Sequence, residues 1–359
     1  MGPDGDGRAA RRPRVALLGG DGGLSGVPRH LRHLAAAFQG VAEVAAQLKK
    51  GLNQVMLDQE TVVEQVVVSV LARGHVLLEG LPGLGKTELC KALARLLALP
   101  FRRIQFTPDL LPGDITGTYV LEGEGRREFT FREGPLFASV VLADEINRSS
   151  PKTQSALLEA MQERSVTVLG QTRSLPDPFF VLATQNPIEL EGTYPLPEAQ
   201  LDRFLFRVQV PPVGAKTLST LLTTRVRGAP PALSPVLDAQ SLGRLFAATD
   251  RVHLPGPVAD FIGRLVESTD SRQAHAPDAV RRFVRYGASP RAALGLAAAG
   301  RALALLRGKP NVGFDEILAV APAVLNHRLV LAYEASLEKV SSNEVIRALI
   351  QAVPEVPRA

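Results

Sequence analysis

The residues with the clearest chemical meaning lie in the run Gly80-Leu81-Pro82-Gly83-Leu84-Gly85-Lys86-Thr87. It satisfies G-x-x-x-x-G-K-[ST] at every position. Glycines at this spacing let successive backbone N–H groups turn inward around an anion. Lys86 adds a point charge for outer phosphates, and the Thr87 hydroxyl is a hard-oxygen ligand for Mg²⁺. Glu88 follows on the same turn. A second constellation is Asp144-Glu145, which closes the apolar run 139–143. An acid at the carboxyl end of a strand beside a phosphate loop can hold the Mg²⁺ shell. The next acid can take a proton from an attacking water. A third apolar run, 179–184, ends at Gln185-Asn186-Pro187. An amide there can orient that water, although Asn before Pro is also a common turn residue.

The elements that must position these groups follow from periodicity. Residues 41–52 and 59–72 carry apolar positions at helical spacing, and Asp58 is placed to cap the second helix. A short buried strand is expected at 75–79 and a helix at 86–98, ended by Pro100. Further strands are expected at 102–106, 139–143, 179–184 and 204–210. Short apolar strands alternating with helices imply a parallel sheet covered on both faces. Alternating polarity at 118–121 with 128–131, and at 166–168 with 172–175, predicts two hairpin insertions. From 215 onward Ala, Leu and Arg dominate in helical patterns and no good strand is visible. The expected division is a Gly/Arg-rich disordered tail at 1–40, a phosphate-binding αβα domain at 41–212 and an all-helical domain at 213–359.

Composition excludes several classes. The chain has 359 residues and is 45% hydrophobic, enough for about two or three domains. No apolar run reaches the ~18–20 residues of a membrane span. The net charge of +5 invites a nucleic-acid reading. Residues 1–32 supply six Arg against three Asp, however, so the body is only slightly basic. With no Trp and four Tyr there is little material for a stacking platform. The single Cys90 rules out an internal disulfide and is expected to be a small buried residue. Arg11-Arg12 before a short apolar stretch only weakly suggests an export signal, broken by Gly19-Gly20. These features fit a cytoplasmic protein.

Taken together, the runs 75–87, 142–163 (LADEINRSSPKTQSALLEAMQE), 183–194 (ATQNPIELEGTY) and 195–206 (PLPEAQLDRFLF), with Gly287-Ala288-Ser289-Pro290-Arg291-Ala292, resemble the MoxR-type AAA+ ATPases. The likeness spans about 41–340. It implies a five-stranded P-loop NTPase core with two β-hairpin inserts and an all-α lid, as in the branch that includes magnesium chelatase and MCM-type modules. It also implies roles by position. Gly80, Pro82, Gly83, Leu84, Gly85, Lys86, Thr87 and Glu88 hold ATP; Thr87 and Asp144 hold Mg²⁺. Glu145 is the catalytic base and Asn186 the sensor of the lytic water. Arg203 is the finger offered to a neighbouring subunit's γ-phosphate, and Arg291 is the lid's sensor. Arg148 and Arg164 are weaker candidates for interface arginines.

The resemblance further implies a ring, taken as a homo-hexamer, with a chaperone-like role in maturing or activating other complexes, often beside a von Willebrand factor A domain protein. Alternatives at this level are a nucleic-acid motor, a metal-chelatase motor subunit and a nucleotide-gated scaffold. The chain departs from the family's usual Gly-Gln near the base pocket, where it has Asp58-Gln59. Ser289-Pro290 has the form of a helix start, which places Arg291 in a first turn.

Overall fold

The computed structural model describes residues 29–122, 128–187, 192–225 and 230–356. A long helix α1 (Arg29–Val55) and α2 (Glu60–Leu71) lead into β1 (Val76–Glu79) and α3 (Lys86–Leu96). Then come β2 (Phe101–Gln105), α4 (Pro112–Thr116), the hairpin β3 (Gly117–Glu122) and β4 (Glu128–Glu133), and β5 (Val140–Asp144). Helix α5 (Pro151–Glu163) precedes the hairpin β6 (Ser165–Val168) and β7 (Gln171–Ser174). The domain closes with β8 (Phe180–Gln185), α6 (Glu198–Leu201) and β9 (Phe206–Gln209). The first helix therefore begins well before 41, and the remainder of the expected tail lies outside the described residues.

The sheet has the order β2-β5-β8-β1-β9, and every neighbouring pair is parallel. Central strands β1 and β5 are buried along their whole length, as the continuous apolar runs require of a sheet covered on both faces. Alternate residues feed two cores. Val76, Leu78, Val140 and Leu142 face one core, built with α1, α2 and α3. Leu77, Val141 and Ala143 face the other, built with Leu157, Leu158 and Met161 of α5.

The helical region after β9 comprises α7 (Ala215–Thr224), α8 (Ala239–Arg251), α9 (Gly256–Glu267), α10 (Asp278–Phe283), α11 (Pro290–Leu306), α12 (Phe314–Leu325), α13 (Tyr333–Leu337) and α14 (Ser342–Ala352). Its apolar faces join the first of the two cores, with α11 packed on α1 and α2. Gly300 makes the α11–α12 approach possible, since a Cβ there would lie 2.6 Å from Ile317. One short antiparallel ladder, β10 (Val284–Tyr286) with β11 (Val330–Leu331), interrupts the helices. Strands of three and two residues are too short for alternation to register, which is why the sequence showed no strand here.

Two local differences have physical reasons. Gln59, not Asp58, is the N-cap of α2, and it makes no side-chain cap bond. Asp58 adopts φ 59°, and its carboxylate instead accepts from Thr217 Oγ1 at 3.2 Å, tying α7 to the start of α2. The β6–β7 turn falls on Leu169 and Gly170, both at positive φ, the backbone that tight hairpins demand. The two hairpins meet where Tyr119 donates to Gln171 and the Arg173 guanidinium lies 4.2 Å from the Phe131 ring. Among the described residues, no helix is long and apolar enough to cross a membrane.

Candidate functional site

The loop between β1 and α3 carries Gly83 at φ 83° and Gly85 at φ 81°, a backbone conformation that glycine adopts without the steric cost a Cβ imposes. A Cβ on Gly80 would come 2.8 Å from the Val210 carbonyl oxygen, so that position needs glycine for space. Lys86 opens α3, is buried, and donates its Nζ to the Gly80 carbonyl. Burial pulls its pKa below the ordinary lysine value, opposed by the charges of Asp144, Glu145 and Glu79. The N-terminal end of α3 points its unpaired N–H groups and positive dipole at the same space.

Across the cleft, β5 delivers Asp144 with both carboxylate oxygens engaged. Arg103 donates to Oδ2 through Nε at 3.1 Å and through a terminal nitrogen at 2.7 Å. Thr184, on β8, donates to Oδ1 at 2.6 Å. The Thr184 hydroxyl in turn accepts from the backbone N–H of Glu145 at 2.8 Å. Glu145 turns out of the strand at φ 57°, and its carboxylate accepts from Gln105 at 2.7 Å and Arg148 at 3.3 Å.

These groups enclose a cleft of about 370 Å³ lined by Pro82, Gly83, Gly85, Lys86, Thr87 and Glu88 on one side. Asp144, Glu145, Thr184, Asn186 and Arg103 line the other. Of the residues expected from sequence, Pro82, Gly83, Gly85, Lys86, Thr87, Glu88, Asp144, Glu145 and Asn186 line this cleft, whereas Gly80 and Leu84 do not. Arg203 and Arg291 do not line this cleft. They lie together at the lid junction, flanking Asp202: Arg203 is its chain neighbour, and Arg291 sits 3.5 Å from its carboxylate. Ser289 caps α11 by accepting from the Arg291 N–H, and Pro290 follows at the first helical position.

Arg103, Gln105 and Thr184 were not singled out by sequence. Arg103 and Gln105 sit in a polar stretch of an edge strand with the pattern of a solvated face. Only the pairing of Gln105 opposite Asp144 in the β2–β5 register brings them to the acids. Thr184 closes a buried apolar run, where a hydroxyl needs a partner, and that was the one available signal. Cys90 is buried on α3, where burial pushes its thiol up and leaves it unreactive.

Residues 75–206 match the family described as "ATPase family associated with various cellular activities (AAA)", and residues 277–349 match the AAA lid domain. The chain is 43% identical over 342 residues to the chaperone MoxR1 of Mycobacterium tuberculosis, covering 93% of this chain and 89% of that one. It is 43% identical over 303 residues to the protein YeaC of Bacillus subtilis, covering 84% and 92%. It is 30% identical over 338 residues to the MoxR protein of Methylorubrum extorquens, covering 87% and 95%. The crystal structure of a candidate ATPase from Cytophaga hutchinsonii superposes with a TM-score of 0.82 at 33% identity, covering 92% of this chain and all of that one. The chain belongs to the MoxR-type family of AAA+ ATPases.

Proposed function

We propose that this protein hydrolyses ATP in a ring of identical subunits, taken as a hexamer, and uses the turnover for chaperone-like remodelling of partner protein complexes. The observation that carries the hydrolytic reading is the placement of Asp144 and Glu145 against the phosphate loop, with their geometry fixed by Thr184. Backbone N–H groups of 80–87 and the Lys86 ammonium bind and orient the phosphates. Glu145 accepts the proton of an attacking water, and Asn186, lining the same cleft, orients that water. The cleft supplies a hydroxyl at Thr87 and a carboxylate at Asp144, hard oxygen donors that fit Mg²⁺ better than a softer metal. When bound, Mg²⁺ would supply charge neutralisation at the phosphates. Removing the base by Glu145→Gln should give a protein that binds ATP and does not turn it over. Unchanged turnover would remove Glu145 from that role.

The ring reading is supported by what the cleft lacks. Arg203 lies outside its own subunit's cleft, so it is free to serve an adjoining one as the cation opposite the γ-phosphate. Sedimentation with Mg²⁺ and an ATP analogue should show assembly; monomers that still hydrolyse ATP would overturn it. The chaperone role is supported by the relative named chaperone MoxR1. A client, or a von Willebrand factor A domain partner, should be captured on the Glu145→Gln protein held in its ATP state and should be released by ADP.

A further inference from the structure

Arg328 follows α12 in the lid, and its side chain is 4% exposed. Every N–H of its guanidinium faces an acceptor. Nε donates to Asp202 Oδ1 at 2.7 Å. One terminal nitrogen donates to the carbonyls of Phe204 at 2.7 Å and Asp202 at 3.2 Å. The other donates to Leu205 at 3.1 Å and to Val324 of α12. His327 adds a contact to the Phe204 carbonyl at 3.0 Å. The lid thus holds the backbone of 202–205 from both sides of Arg203, while Arg203 Nε is itself buried with no hydrogen-bond partner among the described residues. The other oxygen of Asp202 accepts from Ser289 at 3.0 Å and faces Arg291 at 3.5 Å.

A buried guanidinium with all its donors satisfied is a rigid fixture, because moving it would strand several polar groups at once. Half-exposed Arg291 is the movable member, with its side chain 53% exposed. We propose that Asp202 and Arg328 form a latch through which each subunit's own lid sets the position of the Arg203 that it offers to its neighbour. Through its bonds to Asp202, Phe204 and Leu205, Arg328 ties the backbone on either side of Arg203 to the lid, so a shift of the lid carries the 202–205 loop with it. Asp202 and Arg328 are positioning residues: neither touches nucleotide, and their effect is felt in the next site. This inference rests on the shared-site reading of Arg203.

The test uses mixed full-length subunits. A Lys86→Ala donor cannot use nucleotide but still carries Arg203, and an Arg203→Ala acceptor binds nucleotide but needs a finger. Mixing the two should restore turnover; if it does not, the shared site itself falls and the latch with it. With turnover restored, Asp202→Asn is added to one partner at a time. In the donor it should lower kcat of the mixture by about tenfold or more, since displacing a positioned catalytic group by about 1 Å can cost up to about a hundredfold. In the acceptor, which has no Arg203 left to position, it should change kcat of the mixture by less than about twofold. Arg328→Lys, which keeps the charge and loses the fork, should give the same asymmetry. Equal losses whichever subunit carries the change, or no loss from the donor with either variant, would overturn the latch.

Discussion

Arg103 donates two N–H groups to a single oxygen of Asp144, at 3.1 and 2.7 Å, so the acid expected to hold Mg²⁺ is already paired with a cation. The two partners differ in freedom. The Arg103 side chain is 48% exposed, whereas that of Asp144 is 12% exposed and fixed on its other side by Thr184. The arginine is therefore the partner that can withdraw.

Removing it should ease Mg²⁺ entry. A hydrogen bond to a charged group contributes about 1.5–3 kcal/mol, and 1.4 kcal/mol corresponds to about tenfold in an equilibrium. In Arg103→Ala the Mg²⁺ concentration that half-saturates ATP-analogue binding should fall by roughly tenfold. Calorimetric titration at fixed analogue measures it. An unchanged or higher Mg²⁺ requirement would mean that Arg103 does not compete for Asp144.

Thr184→Val is the sharpest test of how the acids are held. The change conserves volume and deletes a hydroxyl that donates to Asp144 at 2.6 Å and accepts from the Glu145 N–H at 2.8 Å. Each stranded buried group costs on the order of 1–3 kcal/mol. Glu145 also sits at φ 57°, a conformation that persists only where its surroundings enforce it. Stability should fall by about 2 kcal/mol and kcat by at least about tenfold, with Thr184→Ser restoring both. Denaturant midpoints and steady-state turnover give the two readings.

How much of this was legible in the sequence depended on whether a signal was local. The loop 80–87 and the pair Asp144-Glu145 are contiguous runs whose glycines and flanking strands carry their own explanation. The core strands were legible for the same reason, with ends shifted by only a residue or two at β2, β5 and β8. Arg103 became visible only with strand order, because β2 lies beside β5 after an intervening hairpin. Arg328 was not legible at all. Its meaning comes from acceptors at 202–205, more than a hundred residues away, and a lone arginine after a helix has the pattern of a solvated end. Asp58 misled because a helix-capping type stood one place before the cap, and tertiary pairing with Thr217 took it instead.

Glu316 should be a sensitive charged position in the lid. It is fully buried and accepts from Arg307 at 2.8 Å, Lys309 at 2.8 Å and the Gly313 N–H at 2.9 Å. Both cationic partners are partly exposed and can rehydrate when released. Glu316→Ala should therefore cost about 2–3 kcal/mol, below the full penalty of breaking a buried pair. Thermal unfolding checks the loss, and a shift in Tm under about 1 °C would show the cluster to be energetically idle.

His75 predicts how stability depends on pH. Its Nδ1 accepts from the Val181 N–H at 3.0 Å, leaving Nε2 to donate to the Met161 carbonyl at 3.2 Å. Burial pushes its pKa down from 6.5 to about 4, with the Arg164 charge acting in the same direction and the Met161 bond opposing it. The unfolded chain takes up a proton below about pH 6.5 that the folded chain refuses. Stability is therefore lost as pH falls from 6.5 toward 4, at up to about 1.4 kcal/mol per pH unit for this one group. His327 is displaced in the same direction, chiefly by burial, and adds to the slope. Between pH 6.5 and 5 most carboxylates stay ionised, so the histidines dominate there. Denaturant unfolding across that interval should give a flatter pH profile for His75→Gln than for the unaltered protein. Parallel profiles would mean that His75 is protonated in the folded state as readily as in the unfolded one.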